Sequence, residues 1–191
     1  MRKSLTALAA ATTLAAAALP AYAAEYAIDP THTFASFEID HFGASVNRVR
    51  FDKKDGKVQF DRAAKTGRVE IHIDPSSLSS GTPVFDGHLK GANHFNVEKF
   101  PTISFVGDKF SFDGDKVSEV AGQLTVKGKT HPVTLKARQF NCYDSPMLKR
   151  EVCGGVFEAT IDRTLWDLGY GLGMVAGKDV RLIAQIEAIK Q

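Results

Sequence analysis

The chain has 191 residues with 24 lysines and arginines against 22 aspartates and glutamates, and the surplus is supplied by Arg2 and Lys3 at the N-terminus. Residues 24–191 are therefore charge-balanced, which excludes the dense positive field that nucleic-acid binding requires. Nothing repeats at a solenoid period, and the length suits one domain with a sizeable core.

Residues 1–23 pair a basic start with an alanine-rich apolar run and end in Ala21-Tyr22-Ala23. This is the pattern of a secretory signal peptide, so a periplasmic or secreted protein is expected, with residues 24–191 as its folded domain. The run is short and Pro20 interrupts it, which argues against a transmembrane anchor. No later stretch is long and apolar enough to span a bilayer, so no stable membrane insertion is expected.

The next signal has a period of two. "FASFEIDHF" sets Phe37, Ile39 and His41 on one face against Glu38 and Asp40, and "RVEIHID" sets Val69, Ile71 and Ile73 against Arg68, Glu70, His72 and Asp74. Similar alternation returns in "TISFVGDKFSF", "VAGQLTVKGKTHPVTLKARQF", "GGVFEATIDR" and "KDVRLIAQIEAI". About eight strands with short turns predict an antiparallel meander, which must pair into a sandwich or roll up to remove its edges.

Two segments break the period. "GASVNRVRF", after His41, predicts a turn or two of helix. "TPVFDGHLKGANHF" has a helix start, with Thr82 as N-cap and Pro83 at the first helical position. Phe85, Leu89 and Ala92 fall on one stripe of that helix, which reads as a lid across a barrel mouth. His88 and His94 are six residues apart, the wrong spacing for a helical metal pair, and are expected at the rim.

Cys142 and Cys153 flank a polar, turn-like segment in a chain expected to be exported, and they predict a disulfide clipping a hairpin. There is no G-x-S-x-G elbow and no close C-x-x-C pair, so no catalytic residue and no metal ligand is assigned. The thirteen phenylalanines are spread over nearly every element. They suit a packed aromatic core, or the lining of an eight-stranded barrel, which can be filled by side chains or hold one small apolar ligand.

"YAIDPTHTFASFEIDHFG", "FPTISFVGDKF", "GQLTVKGKTHPVTL" and "IDRTLWDLGYG" occur in the order and spacing of the YceI-like family of exported bacterial proteins, and the chain resembles that family from Glu25 onward. The resemblance implies an all-β, extended lipocalin-like eight-stranded antiparallel barrel closed by a short helix. It also implies an isoprenoid lipid or quinone as ligand, with no cofactor required. Arg50 before Phe51 and Asp167 after Trp166 stand where the family commonly has glycine.

Alternation then assigns a cavity lining of Phe37, Ile39, Val69, Ile71, Ile103, Phe105, Leu124, Val126, Leu135, Phe157, Ile161, Leu182 and Ile186, with Phe85 and Leu89 of the helix helping to close it. His41, Arg48, His88, Arg163 and Trp166 are placed at the mouth as head-group contacts. The function expected is non-catalytic binding, transport or sequestration of a long-chain amphiphile, extending to lipophilic toxins or drugs. The partner is a hydrophobic small molecule or lipid, and a homodimer is compatible with the sequence. Two other readings stand beside it: an isomerase-type enzyme acting on a bound lipid through His41 and Arg163, and an interaction module with a filled core.

Overall fold

A computed structural model describes residues 23–191, so the signal-peptide reading of residues 1–22 lies outside the described residues. The strands are β1 (Ala24–Ile28), β2 (Phe34–His41), β3 (Ser45–Phe51), β4 (Lys54–Asp61), β5 (Thr66–Ile73), β6 (Leu78–Ser79), β7 (Ile103–Asp113), β8 (Lys116–Val126), β9 (Lys129–Asp144), β10 (Glu151–Asp162) and β11 (Asp179–Lys190). Among the described residues one α-helix, α1 (Pro83–Lys90), and two short 3-10 turns interrupt them.

Every pairing between these strands is antiparallel. The order β1-β4-β5-β7-β8-β9-β10-β11 returns to β1, because β1 pairs with both β4 and β11. Eight strands thus close a barrel, which removes the exposed edges that a meander would otherwise present.

Closure depends on the length of β11. Its last residues pair with β1 (Ala188 with Ile28), while Val180 to Gln185 pair with β2. β2 is therefore a second strand on the same edge, and it carries β3 and β6 out as a ribbon. The helix and the turn after it pack where this ribbon leaves the barrel. Leu89 is buried, and the Phe95 ring packs tilted against Phe37 at 5.8 Å and edge-to-face against Phe51 at 5.7 Å.

Residues 43–51 correct the sequence reading: β3 is a strand, not a turn of helix. Its partner decides this, since Ser45 to Phe51 pair residue by residue with His41 to Ala35. The turn between them uses left-handed backbone at Phe42 (φ 57°) and Gly43 (φ 67°), and phenylalanine is a poor advertisement for such a turn. The helix is also shorter than the sequence suggested. It ends at Lys90, which leaves Ala92 exposed and outside the stripe.

The two unusual residues noted in the sequence have local explanations. Asp167 takes a left-handed conformation (φ 55°) as the cap of the 3-10 turn Arg163–Trp166, a position where glycine is free of strain and aspartate is tolerated. Lys129 pairs with its carboxylate at 2.8 Å, and Lys127 donates to its carbonyl. Arg50 lies on the outer face of β3, bonded to Asp52 at 2.6 Å and lying over the Phe34 ring.

Around the barrel, the inward set changes parity at bulges. β7 points Ile103 and Phe105 inward, shifts register between Gly107 and Lys109, and then points Phe110 inward. β9 does the same between Leu135 and Phe140, opposite the shift at Val156 and Phe157 on β10. Gly107 and Gly122 face each other across β7 and β8, and a Cβ on Gly122 would sit 2.3 Å from the Val106 carbonyl. Only bare backbone allows so sharp a bend.

Candidate functional site

The inward faces do not fill the barrel. They enclose a cavity of about 580 Å³, within the range of pockets that hold small organic ligands. All fifteen residues assigned to the cavity from the sequence line it, thirteen from strand alternation and Phe85 and Leu89 from the stripe of α1. Tyr26, Phe60, Phe110, Val117, Val120, Val133 and Phe140 also line it. Several of these lie beyond the bulges, where strict alternation assigns them to the outer face.

One end of the cavity is aromatic and closed by polar groups that are fully engaged. Phe60 contacts Phe110, Phe112 and Phe140 with ring centroids about 6 Å apart. Buried Tyr26 donates its hydroxyl to Glu151 Oε1 at 2.5 Å, and burial together with that carboxylate pushes the phenol well above its ordinary pKa. The hydroxyl therefore stays protonated at neutral pH. Cys153 lines this end, disulfide-bonded to Cys142 directly across β9 and β10.

The other end is the polar one. His41, Asn47, His88, His94, Arg163 and Tyr170 all line it. Arg163 is only 6% exposed, and its guanidinium is held by backbone carbonyls: Nε donates to Gly177 at 2.8 Å, and Nη1 to Tyr170 at 3.0 Å and to Leu168. Among the described residues no carboxylate forms an ion pair with it. Burial lowers its pKa, with the nearby Asp162 charge acting in the opposite sense. An arginine remains charged at neutral pH even so.

His94 packs its ring against Tyr170 at 5.0 Å. Its Nδ1 is buried without a hydrogen-bond partner in the protein. Burial depresses its pKa, the charge of Arg163 adds to the effect, and the His88 carbonyl opposes it. This end thus combines an uncompensated cation with an unsatisfied ring nitrogen, an arrangement suited to a polar or anionic group. The sequence expected both histidines at the rim; both line the cavity, with His88 exposed and His94 half-buried.

Two of the five mouth residues do not line the cavity. Arg48 lies opposite Glu38 in the β2–β3 ladder and points outward, bonded to Glu38 at 2.8 Å. Glu38 also bonds Arg181, which bonds Glu158, so Arg48 ends a charged row on the outer wall. Trp166 is 1% exposed, but its indole donates to the Leu124 carbonyl at 3.1 Å and packs against His131. The 3-10 turn after β10 sends Arg163 inward and lays Trp166 on the barrel wall. Among the described residues no group of three or more His, Cys, Asp or Glu side chains is placed to hold a metal ion.

A closed antiparallel barrel around an apolar cavity with one polar end defines a barrel of the lipocalin-like kind. The chain belongs to the YceI-like domain family, whose signature matches residues 26–188. Protein YceI of Salmonella arizonae is 33% identical over 174 residues, 90% of each chain. A UPF0312 protein of Pseudomonas aeruginosa is 33% identical over 198 residues, with both chains fully covered.

Among solved structures, BcnA of Burkholderia cenocepacia superposes with a TM-score of 0.71 at 21% identity, covering 84% of this chain and 98% of its own. A polyisoprenoid binding domain from Saccharophagus degradans superposes with a TM-score of 0.64 at 14% identity, covering 87% of this chain and 98% of its own. At such identities these likenesses establish the shared fold.

Proposed function

We propose that this protein is a non-catalytic carrier of a single long-chain amphiphile, with an isoprenoid or acyl tail inside the barrel and the head group at the Arg163–His94 end. The observation that carries the reading is the apolar cavity of about 580 Å³ with all its unsatisfied polarity at one end. The polyisoprenoid binding domain that shares the fold supports the tail assignment.

Magnitudes favour a long tail. Burying each methylene is worth about 0.8 kcal/mol, while association costs an estimated 4–15 kcal/mol, so a few carbons barely hold and a polyprenyl chain or quinone tail binds well. Exported, such a protein would move or sequester lipid across the aqueous space outside the cytoplasm, and the same cavity would accept lipophilic toxins. No cofactor is needed for this role.

Native mass spectrometry of protein purified from its own cells tests the reading. A stoichiometric adduct with the mass of an isoprenoid, a quinone or a long acyl lipid is expected. Bare protein in gentle extracts, together with no uptake of decylubiquinone offered in excess, would refute it.

A further inference from the structure

Residues 168–177 read "LGYGLGMVAG", ten consecutive positions without a charge. Surface loops ordinarily carry polar turn residues. Here Tyr170, Leu172, Met174 and Val175 are between 39% and 77% exposed, and Phe42 beside them is 63% exposed. These five side chains form one apolar rim at the polar end of the cavity.

The rim is built, not frayed. Met174 and Val175 donate their amides to the Gly171 carbonyl at 3.1 and 3.0 Å, Gly171 and Gly173 take left-handed backbone, and Phe42 donates its amide to the Val175 carbonyl at 3.3 Å. From beneath, the Arg163 guanidinium gathers the carbonyls of Leu168, Tyr170 and Gly177. A buried cation thus holds the strap from inside while Leu172 and Met174 face out. Tyr170 and Val175 also line the cavity, so the exposed patch and the cavity wall are continuous.

From this continuity we infer that the strap at residues 168–177, together with Phe42, docks on a lipid bilayer and opens the cavity toward the acyl layer. This rests on the carrier reading. The side chains are the aromatic and aliphatic types that settle at membrane interfaces, and the strap has no charge with which to pair a protein epitope. A water-insoluble tail passing between bilayer and cavity is then never exposed to solvent. Because residues 24–191 are charge-balanced, docking proceeds by apolar insertion and is insensitive to salt.

The test is flotation of the purified protein with vesicles of phosphatidylethanolamine and phosphatidylglycerol, at low and high salt. The protein is expected to float at both, and Phe42→Ser with Met174→Ser to lose about tenfold or more in partitioning. Met147→Ser with Leu148→Ser, an exposed apolar pair at the β9–β10 turn, is expected to float like the parent. The emission of Met174→Trp, which adds an exposed indole to the buried Trp166, is expected to shift to the blue with vesicles.

Decylubiquinone delivered from cyclodextrin should bind the Phe42→Ser, Met174→Ser protein as it binds the parent, since neither residue lines the cavity. Failure of the parent to bind decylubiquinone, together with bare protein in gentle extracts, would defeat the carrier reading separately. The inference is overturned if the parent does not float, if both double variants float alike, if floating is abolished by salt, or if the rim instead mediates concentration-dependent self-association.

Discussion

Arg163 and His94 set the chemistry of the polar end by opposite means. The cation is tolerated in a buried site because carbonyls rather than carboxylates surround it, so its charge is solvated but not cancelled. His94 is held neutral, because burial lowers its pKa from the ordinary 6.5 and Arg163 discourages a second positive charge beside it. The unfolded chain protonates this histidine as pH falls below about 6.5, whereas the folded site resists until lower pH. His94 therefore contributes a loss of stability on acidification. Urea midpoints of the parent and His94→Gln are expected to converge or cross in favour of the variant between about pH 7.5 and pH 5, and parallel curves would show that the ring titrates freely.

At the scale of elements, the alternation of β2, β5, β10 and β11 in the sequence already separated wall from interior, because a half-buried strand has a side-chain period of two. The same reasoning stopped at bulges. Phe110, Val117 and Phe140 are turned inward by register shifts in β7, β8 and β9 that leave no residue signature apart from glycines such as Gly107 and Gly122. β3 was hidden for a related reason: its strand character comes from pairing with β2 across a turn at Phe42 and Gly43.

The cysteine pair was legible, and it bridges β9 and β10 at directly opposed positions 11 residues apart. Closing a loop of that length restricts the unfolded chain by about 3 kcal/mol. Cys142→Ser with Cys153→Ser is expected to lose stability on that order in urea unfolding. A loss near zero would mean that the hairpin is already held together in the unfolded ensemble.

At the scale of the whole molecule, the question is whether the barrel is a container or a packed core. Ala184 lines the cavity between Ala35 on β2 and Phe157 on β10. In a packed interior, Ala184→Trp would overpack and cost about 1–3 kcal/mol. In a barrel with room, the indole takes the place of ligand. The expected outcome is an affinity for decylubiquinone at least about tenfold lower with the melting temperature retained, read by titration and calorimetry on the same protein.

By itself the sequence determined the all-β class, the inward faces of the regular strands, the start of the helix at Thr82 and Pro83, and the pairing of the cysteines. Each is written in local spacing, which the backbone converts directly into geometry. Only the tertiary structure decided that β11 reaches both β1 and β2 to close the ring, that Arg163 turns inward while Arg48 turns outward, and that the apolar faces stop short of meeting. Those outcomes depend on strand number, stagger and bulges acting together, so no window of residues contains them.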